Sequence, residues 1–184
     1  VFSSDLFTEK IWNLPKSVFP FQPVEWARTE TPSPAERNGY VTFGSVARAV
    51  RINDDVLQAW ADILDRTPGA RFSLFNQACR DPAVRDAMIN RFGRMGIGPE
   101  RLNIGFRTTA VDAYAEIDII LDTFPHNAGV TCCESLCLGL PIVTLRGKAA
   151  IGTLGSSFLT QIGRTDWIAE SNDDYVRIAC DLAS

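Results

Sequence analysis

Short apolar blocks alternate with longer amphipathic blocks along residues 40–184. Five apolar blocks predict strands, namely "YVTFGS", "RFSLFN", "RLNIGF", "DIILDT" and "LPIVTL". The intervening blocks predict helices, namely "NDDVLQAWADILDRTPG", "DPAVRDAMINRFGRMG", "AVDAYAEI" and "TCCESLCLG", followed by helical stretches near 150–163 and 172–183. Strands that alternate with helices are typical of parallel βαβ units. The pattern therefore predicts a doubly wound, Rossmann-like α/β sheet.

The predicted helices carry start signals. Asn53 is a natural N-cap, and Leu57, Trp60 and Leu64 recur on one helical face behind it. Pro82 stands at the first turn of the next helix, where its missing N–H group costs nothing.

Residues 1–39 have a different texture. They are rich in proline and aromatic residues, show weak periodicity and end in "ETPSPAERNG". Clustered Pro, Ser and Gly interrupt regular structure. We expect a lead-in segment that ends in an exposed loop, followed by a domain over residues 40–184.

Composition and charge limit the classes of function that the chain can have. The chain has 184 residues, 46% of them hydrophobic, and a net charge of -4. Such a chain builds one core but offers no basic field for nucleic acid. No apolar run is long enough for a membrane span, and no secretory signal opens the sequence, so we expect a cytoplasmic protein without a membrane partner. The five cysteines, with Cys132 and Cys133 adjacent in a predicted helix, are expected to be reduced core thiols.

The richest candidate site follows the fourth predicted strand, because doubly wound sheets bind ligands at the carboxyl ends of their strands. Asn127, Gly129, Val130 and Thr131 are small or turn-forming residues that open a helix. The unpaired N–H groups at a helix start suit a phosphate. The alternative is a tight turn with a cap and no ligand.

Two further features sharpen this hypothesis. Glu134, about one turn into the same helix, could accept hydrogen bonds from two ribose hydroxyls; alternatively, "TCCE" is a capping box with Thr131 as N-cap. Arg48 and Arg51 are three residues apart and could reach one anion, or could be ordinary surface cations. His126 is either a turn residue packed on Phe124 or a ligand contact.

Several chemistries are not indicated. A single histidine and the absence of paired C-x-x-C spacings argue against a metal site. The sequence contains no G-x-S-x-G nucleophile, no Walker A lysine and no G-x-G-x-x-G after the first strand. Hydrolases with a serine triad, P-loop nucleotide triphosphatases and dinucleotide dehydrogenases are therefore poor fits.

A set of motifs resembles one enzyme family. The motifs occur in the family's order over almost the whole chain: "FTEKIWNLPKSVFPFQP", "RNGYVTFGS", "NDDVLQAWADIL", "PERLNIGF", "DIILDTFPHNAGVTCCESLCLGLPIVTL" and "SFLTQIG". On these residues the chain is similar to the C-terminal catalytic lobe of the protein O-GlcNAc transferase family, the SPINDLY-like, tetratricopeptide-linked group in glycosyltransferase family 41. That resemblance implies the C-terminal half of a GT-B glycosyltransferase, with residues 1–39 crossing from an N-terminal lobe that is absent from this chain.

The resemblance also implies residue roles. Arg51 takes the place of a catalytic lysine that contacts the donor diphosphate. The other positions expected to bind the nucleotide sugar are Arg48, Asn76, His126, Asn127, Gly129, Val130, Thr131 and Glu134. Of these, Glu134 falls at the ribose-binding carboxylate, while Asn76 and the loop 107–110 flank the uracil.

The implied activity is transfer of a sugar from a UDP-sugar donor to a protein or peptide acceptor, without a metal or other cofactor. The chain alone is expected to bind the donor weakly and to transfer nothing. Departures from the family pattern, such as "VARAVR" and "KAAIGTLGSS", leave two alternatives open. One is a bacterial protein N-glucosyltransferase-like enzyme of the same family, and the other is a non-catalytic module that binds nucleotide or protein.

Overall fold

A computed structural model of the protein describes residues 7–10, 20–22 and 32–184. Within these ranges the strands are β1 (Thr42–Ser45), β2 (Arg71–Phe75), β3 (Leu102–Gly105), β4 (Ile119–Leu121), β5 (Ile142–Leu145) and β6 (Ile168–Ala169). The helices are α1 (Pro34–Asn38), α2 (Asp54–Arg66), α3 (Pro82–Arg94), α4 (Ala110–Tyr114), α5 (Val130–Cys137), α6 (Leu154–Gln161) and α7 (Asn172–Leu182). Short 3-10 turns cover Ala49–Arg51, Gln77–Arg80, Pro99–Arg101, Ala150–Gly152 and Thr165–Trp167.

The described strands form one parallel sheet in the order β3-β2-β1-β4-β5-β6. The chain therefore winds outward from β1 in one direction and from β4 in the other. This is the predicted doubly wound, Rossmann-like fold, and its topological switch point lies between β1 and β4, where Phe43 pairs with Ile119.

The prediction of five strands missed β6. This edge strand has two residues, Ile168 and Ala169, and pairs with the end of β5. Two residues are too few to show an alternating pattern in the sequence.

Each face of the sheet packs on its own apolar layer because strand side chains alternate between faces. Ile119 and Leu121 lie with α2, α3 and α7 on one face, whereas Ile120 lies with α4, α5 and α6 on the other. The predicted helical face of α2 is confirmed, since Leu57, Trp60 and Leu64 are completely buried. Both layers hold β4 in place, and with it the loop that follows.

The expectation of an exposed loop at "ETPSPAERNG" is wrong for its second half, because residues 34–38 form helix α1. Ser33 caps the helix and exchanges hydrogen bonds with Glu36, which is a capping box with proline in the first turn. Gly39 ends the helix at φ 74°, a conformation that favours glycine. Most of the predicted lead-in segment lies outside the described residues.

Helix α2 begins as predicted. The side chain of Asn53 accepts a hydrogen bond from the N–H group of Val56 at 2.9 Å. The same side chain donates to the carbonyl of Phe124 at 2.9 Å. One N-cap therefore fixes the start of α2 and ties it to the loop after β4.

Replacement of Trp60 by alanine tests this packing. Its ring is fully buried, lies 4.8 Å from the ring of Phe72, and its indole N–H donates to the hydroxyl of Tyr175 at 3.3 Å. We expect Trp60→Ala to lower the free energy of unfolding by about 3–5 kcal/mol in denaturant titrations. The exposed Gln58→Ala on the same helix should change it by less than about 0.5 kcal/mol. Equal effects of the two changes would contradict the packing described.

Candidate nucleotide-binding site

The candidate site lies at the topological switch point, where the loops after β1 and β4 meet. Arg51, from the first loop, donates through Nη1 to the carbonyl of Asn127 in the second at 3.4 Å. Neighbouring strands that wind in opposite directions leave a crevice at this edge of a doubly wound sheet. The geometry therefore brings together the two loops that the sequence pattern singled out.

Asp122, the first residue after β4, organises the second loop. Its Oδ1 accepts hydrogen bonds from the N–H groups of Thr123 at 2.9 Å and Ala128 at 2.8 Å. Its Oδ2 accepts from the hydroxyl of Thr144 in β5 at 2.8 Å. These bonds fold residues 122–128 back on themselves and fix where the next helix starts. Sequence reasoning missed Asp122, although a carboxylate that ends an apolar strand was a visible signal.

Burial raises the pKa of the Asp122 carboxyl group from 3.8 to about 7. Its three hydrogen bonds and the nearby Arg51 guanidinium favour the charged form and oppose this shift. Burial outweighs them because the side chain is enclosed by the sheet, the loop and α6, with residue exposure of only 2%.

Asn127 faces inward. Its residue is fully buried, and its Nδ2 donates to the carbonyls of Thr123 at 3.1 Å and Leu145 at 3.3 Å. Its backbone N–H group donates to the carbonyl of Ile151 at 3.1 Å. Asn127 therefore joins the loops after β4 and β5. Within the described part of the chain, its Oδ1 atom is buried without a hydrogen-bond partner.

Helix α5 starts with open N–H groups. Gly129 is its N-cap, and no side chain of the described residues caps it. The capping box with Thr131 as N-cap is therefore not formed, because Thr131 is already inside the helix. Val130 is 51% exposed and Thr131 is half-buried, so the first turn borders solvent. A helix start of this kind presents partial positive charge to an anion.

Arg48 and Arg51 make this edge of the sheet positive, and His126 lies close to both. Burial and the Arg48 charge lower the pKa of Arg51, while the Asp122 carboxylate acts in the opposite direction. Burial and the same two guanidinium groups lower the pKa of His126. Arg48 is exposed, whereas Arg51 is half-buried. Among the described residues, no hydrogen-bond partner reaches the buried Nε of Arg51.

Glu134 lies one turn into α5 and is half-buried. Its Oε2 accepts a hydrogen bond from the hydroxyl of Tyr114 at 2.8 Å. The carboxylate is thus held by a side chain from α4, a contact that sequence reasoning did not anticipate.

Asn76 directly follows β2, at its carboxyl end, and belongs to neither of the two loops that Arg51 and Asn127 join. It is 8% exposed, and its side-chain oxygen accepts from the N–H group of Cys79 at 3.2 Å. Its Nδ2 is one of the buried polar atoms that lack a partner in the described ranges. In the neighbouring loop 107–110, Arg107 is already engaged by Glu116 through bonds of 2.5 and 2.9 Å.

The cysteines and acidic groups suggest no other chemistry. All five cysteines lie in the described ranges and none forms a disulfide; Cys132 is completely buried. In the same ranges, no group of three or more His, Cys, Asp or Glu side chains is arranged to hold a metal ion. None of the described helices combines the length and apolar character that crossing a bilayer requires.

Fold and site together define a doubly wound domain whose switch point carries two arginines beside an uncapped helix start. The chain belongs to glycosyl transferase family 41, whose model matches residues 29–184. It is 34% identical over 180 residues to SPINDLY of Oryza sativa subsp. japonica, a probable UDP-N-acetylglucosamine–peptide N-acetylglucosaminyltransferase. That match covers 96% of this chain and 19% of the relative, so the chain spans about a fifth of its length.

Two solved structures support the fold. A mutant O-GlcNAc transferase from Thermobaculum terrenum superposes with a TM-score of 0.89 and 29% identity, over 98% of this chain and 35% of that one. A pneumococcal O-GlcNAc transferase solved with UDP and GlcNAc has a TM-score of 0.54 and 15% identity, over 79% of this chain and 30% of that one. The second likeness shows the fold alone. The expected GT-B half-fold and family are thereby confirmed.

The raised pKa of Asp122 predicts a pH dependence of stability. Folding favours the protonated carboxyl group, so this contribution is complete below pH 3.8 and is lost as the pH rises through about 7. The free energy of unfolding should therefore fall across that range more in the wild type than in Asp122→Asn. The amide keeps an oxygen for the two N–H donors and can itself donate to Thr144.

Denaturant titrations at a series of pH values measure the difference in free energy of unfolding between the two proteins. The contributions of the other titrating groups cancel in that difference. Parallel profiles for wild type and Asp122→Asn would show that Asp122 does not titrate in this range.

Proposed function

We propose that the site binds the UDP part of a UDP-sugar, and that the chain is the donor-binding lobe of a protein glycosyltransferase. The observation that carries this proposal is the uncapped start of α5 beside Arg51, whose buried Nε lacks a partner among the described residues. A diphosphate would supply acceptors to both groups. Family membership and the SPINDLY relative, described as acting with UDP-N-acetylglucosamine and peptide, support it.

In this proposal the lobe stabilises the leaving group. As the bond between the sugar and the diphosphate breaks, negative charge grows on the diphosphate. Arg51, Arg48 and the N–H groups of Gly129, Val130 and Thr131 would neutralise that charge in the transition state. A protein nucleophile is not needed for this task, and the acceptor hydroxyl or amide would approach from a second lobe.

Two of the remaining candidate residues would contact the ribose and the uracil of the nucleotide. Glu134 would accept hydrogen bonds from the two ribose hydroxyls, and Asn76 would direct its partnerless Nδ2 to the uracil. The enclosed side chain of Asn127 would act through the loop it holds, while His126 lies near both guanidinium groups at the rim. We expect the protein to need no metal and to work in the cytoplasm, where free cysteines persist.

Calorimetric titration of UDP tests the proposal. Because charge-assisted hydrogen bonds are worth about 1.5–3 kcal/mol, Arg51→Ala should weaken UDP binding by about 10- to 100-fold. Arg51→Lys should retain part of the affinity, and Glu134→Ala should lose about tenfold. The matched control is Arg94→Ala, an exposed cation in the last turn of α3 and so away from the carboxyl ends of the strands, which should change affinity less than about twofold.

Nucleotide preference and chelation complete the test. The wild type should prefer UDP to ADP and GDP, and a chelator should leave its affinity unchanged. Equal affinity for the three diphosphates would favour the non-catalytic module instead. Loss of binding in the chelator would contradict the metal-free site.

A further inference from the structure

We propose that Tyr114 is a positioning residue that holds the Glu134 carboxylate in the orientation needed to receive both ribose hydroxyls of the donor. This inference rests on the proposed function and assigns a role to a residue of α4, outside the two loops that build the rest of the site.

The contact itself is direct. The Tyr114 hydroxyl lies 2.8 Å from Oε2 of Glu134 and 3.4 Å from the carbonyl oxygen of Thr131. A phenol has one hydrogen to donate, and the shorter bond to a carboxylate is the stronger. The hydroxyl therefore donates its hydrogen to Glu134, and its proximity to the Thr131 carbonyl places it beside the first turn of α5.

Tyr114 is suited to this role because it cannot move easily. Its residue is 3% exposed and belongs to the apolar layer that includes Ile117, Ile120 and Cys132. Burial and the Glu134 carboxylate both raise the pKa of the phenol, so it remains a proton donor at physiological pH. The rigidly held Tyr114 hydroxyl thus donates a hydrogen bond to the half-buried carboxylate of Glu134.

The arrangement leaves Glu134 able to bind a ligand. An ionised carboxylate has about four acceptor positions on its two oxygens, and Tyr114 occupies one of them. Two adjacent hydroxyl groups can share the remainder. Holding the side chain in one rotamer beforehand removes part of the ordering cost that binding would otherwise carry. Loss of the phenol hydroxyl should therefore weaken ribose recognition while leaving the diphosphate contacts intact.

The test compares two ligands, UDP and 2′,3′-dideoxyuridine diphosphate, which lacks both ribose hydroxyls. Calorimetry is run on the wild type, Tyr114→Phe, Glu134→Ala and the double variant. Tyr114→Phe should weaken UDP binding by about tenfold, equivalent to about 1.4 kcal/mol, and dideoxy-UDP binding by less than about twofold. In the Glu134→Ala background it should have no further effect on UDP.

A matched control removes the hydroxyl oxygen of a tyrosine that lies away from the site. Tyr40→Phe, at the amino end of β1 where the Arg71 guanidinium lies 4.1 Å from the ring centre, should leave both affinities unchanged. Equal weakening of both ligands by Tyr114→Phe would mean a general structural disturbance and would overturn the inference. So would unchanged UDP affinity in Tyr114→Phe when Glu134→Ala weakens it, an outcome that leaves the proposed function standing. A wild type that binds neither ligand would overturn both proposals.

Discussion

The hydrogen bonds accepted by the Asp122 carboxylate are the constraint on which the candidate site depends. They join the end of β4 to Ala128, just before α5, and to Thr144 in β5. The backbone carbonyl of Asp122 also accepts from the hydroxyl of Tyr175 at 2.7 Å, which anchors the turn to α7. Gly155 of α6 packs against this cluster, since a Cβ there would lie 3.0 Å from the carboxylate and overlap Thr144.

The turn that begins at Asp122 also affects the balance of charge at the switch point. A buried carboxyl group with a pKa near 7 only partly balances Arg51, and Arg48 adds a second cation nearby. The edge of the sheet is therefore left with excess positive charge beside an uncapped helix start. We therefore propose an anionic ligand at this edge, where a diphosphate would supply negative charge and acceptor oxygens.

Periodicity was sufficient to predict five strands and the buried face of α2, because each is a local property of the sequence. Phosphate binding by the loop after β4 stays a prediction. The sequence pattern did not predict helix α1, because the clustered Pro, Ser and Gly around Ser33 are typical of a loop, whereas the capping pair of Ser33 and Glu36 starts a helix of only five residues. Asp122 ends an apolar strand, which is a local signal, but its bond to Thr144 and the bond of Tyr114 to Glu134 join different elements, so the sequence does not show these contacts. The inward orientation of Asn127 has the same cause: its side chain bonds to Leu145, which only the folded sheet brings near.

We propose that a nucleoside diphosphate binds with its phosphates on the first turn of α5. This placement is tested by amide chemical shifts of the isotopically labelled chain, followed during titration with UDP and separately with uridine. UDP should shift the amide signals of Gly129, Val130 and Thr131 strongly, and uridine should leave them nearly unchanged. Strong UDP-induced shifts confined to other parts of the chain, such as the amino ends of β1 and β2, would contradict it.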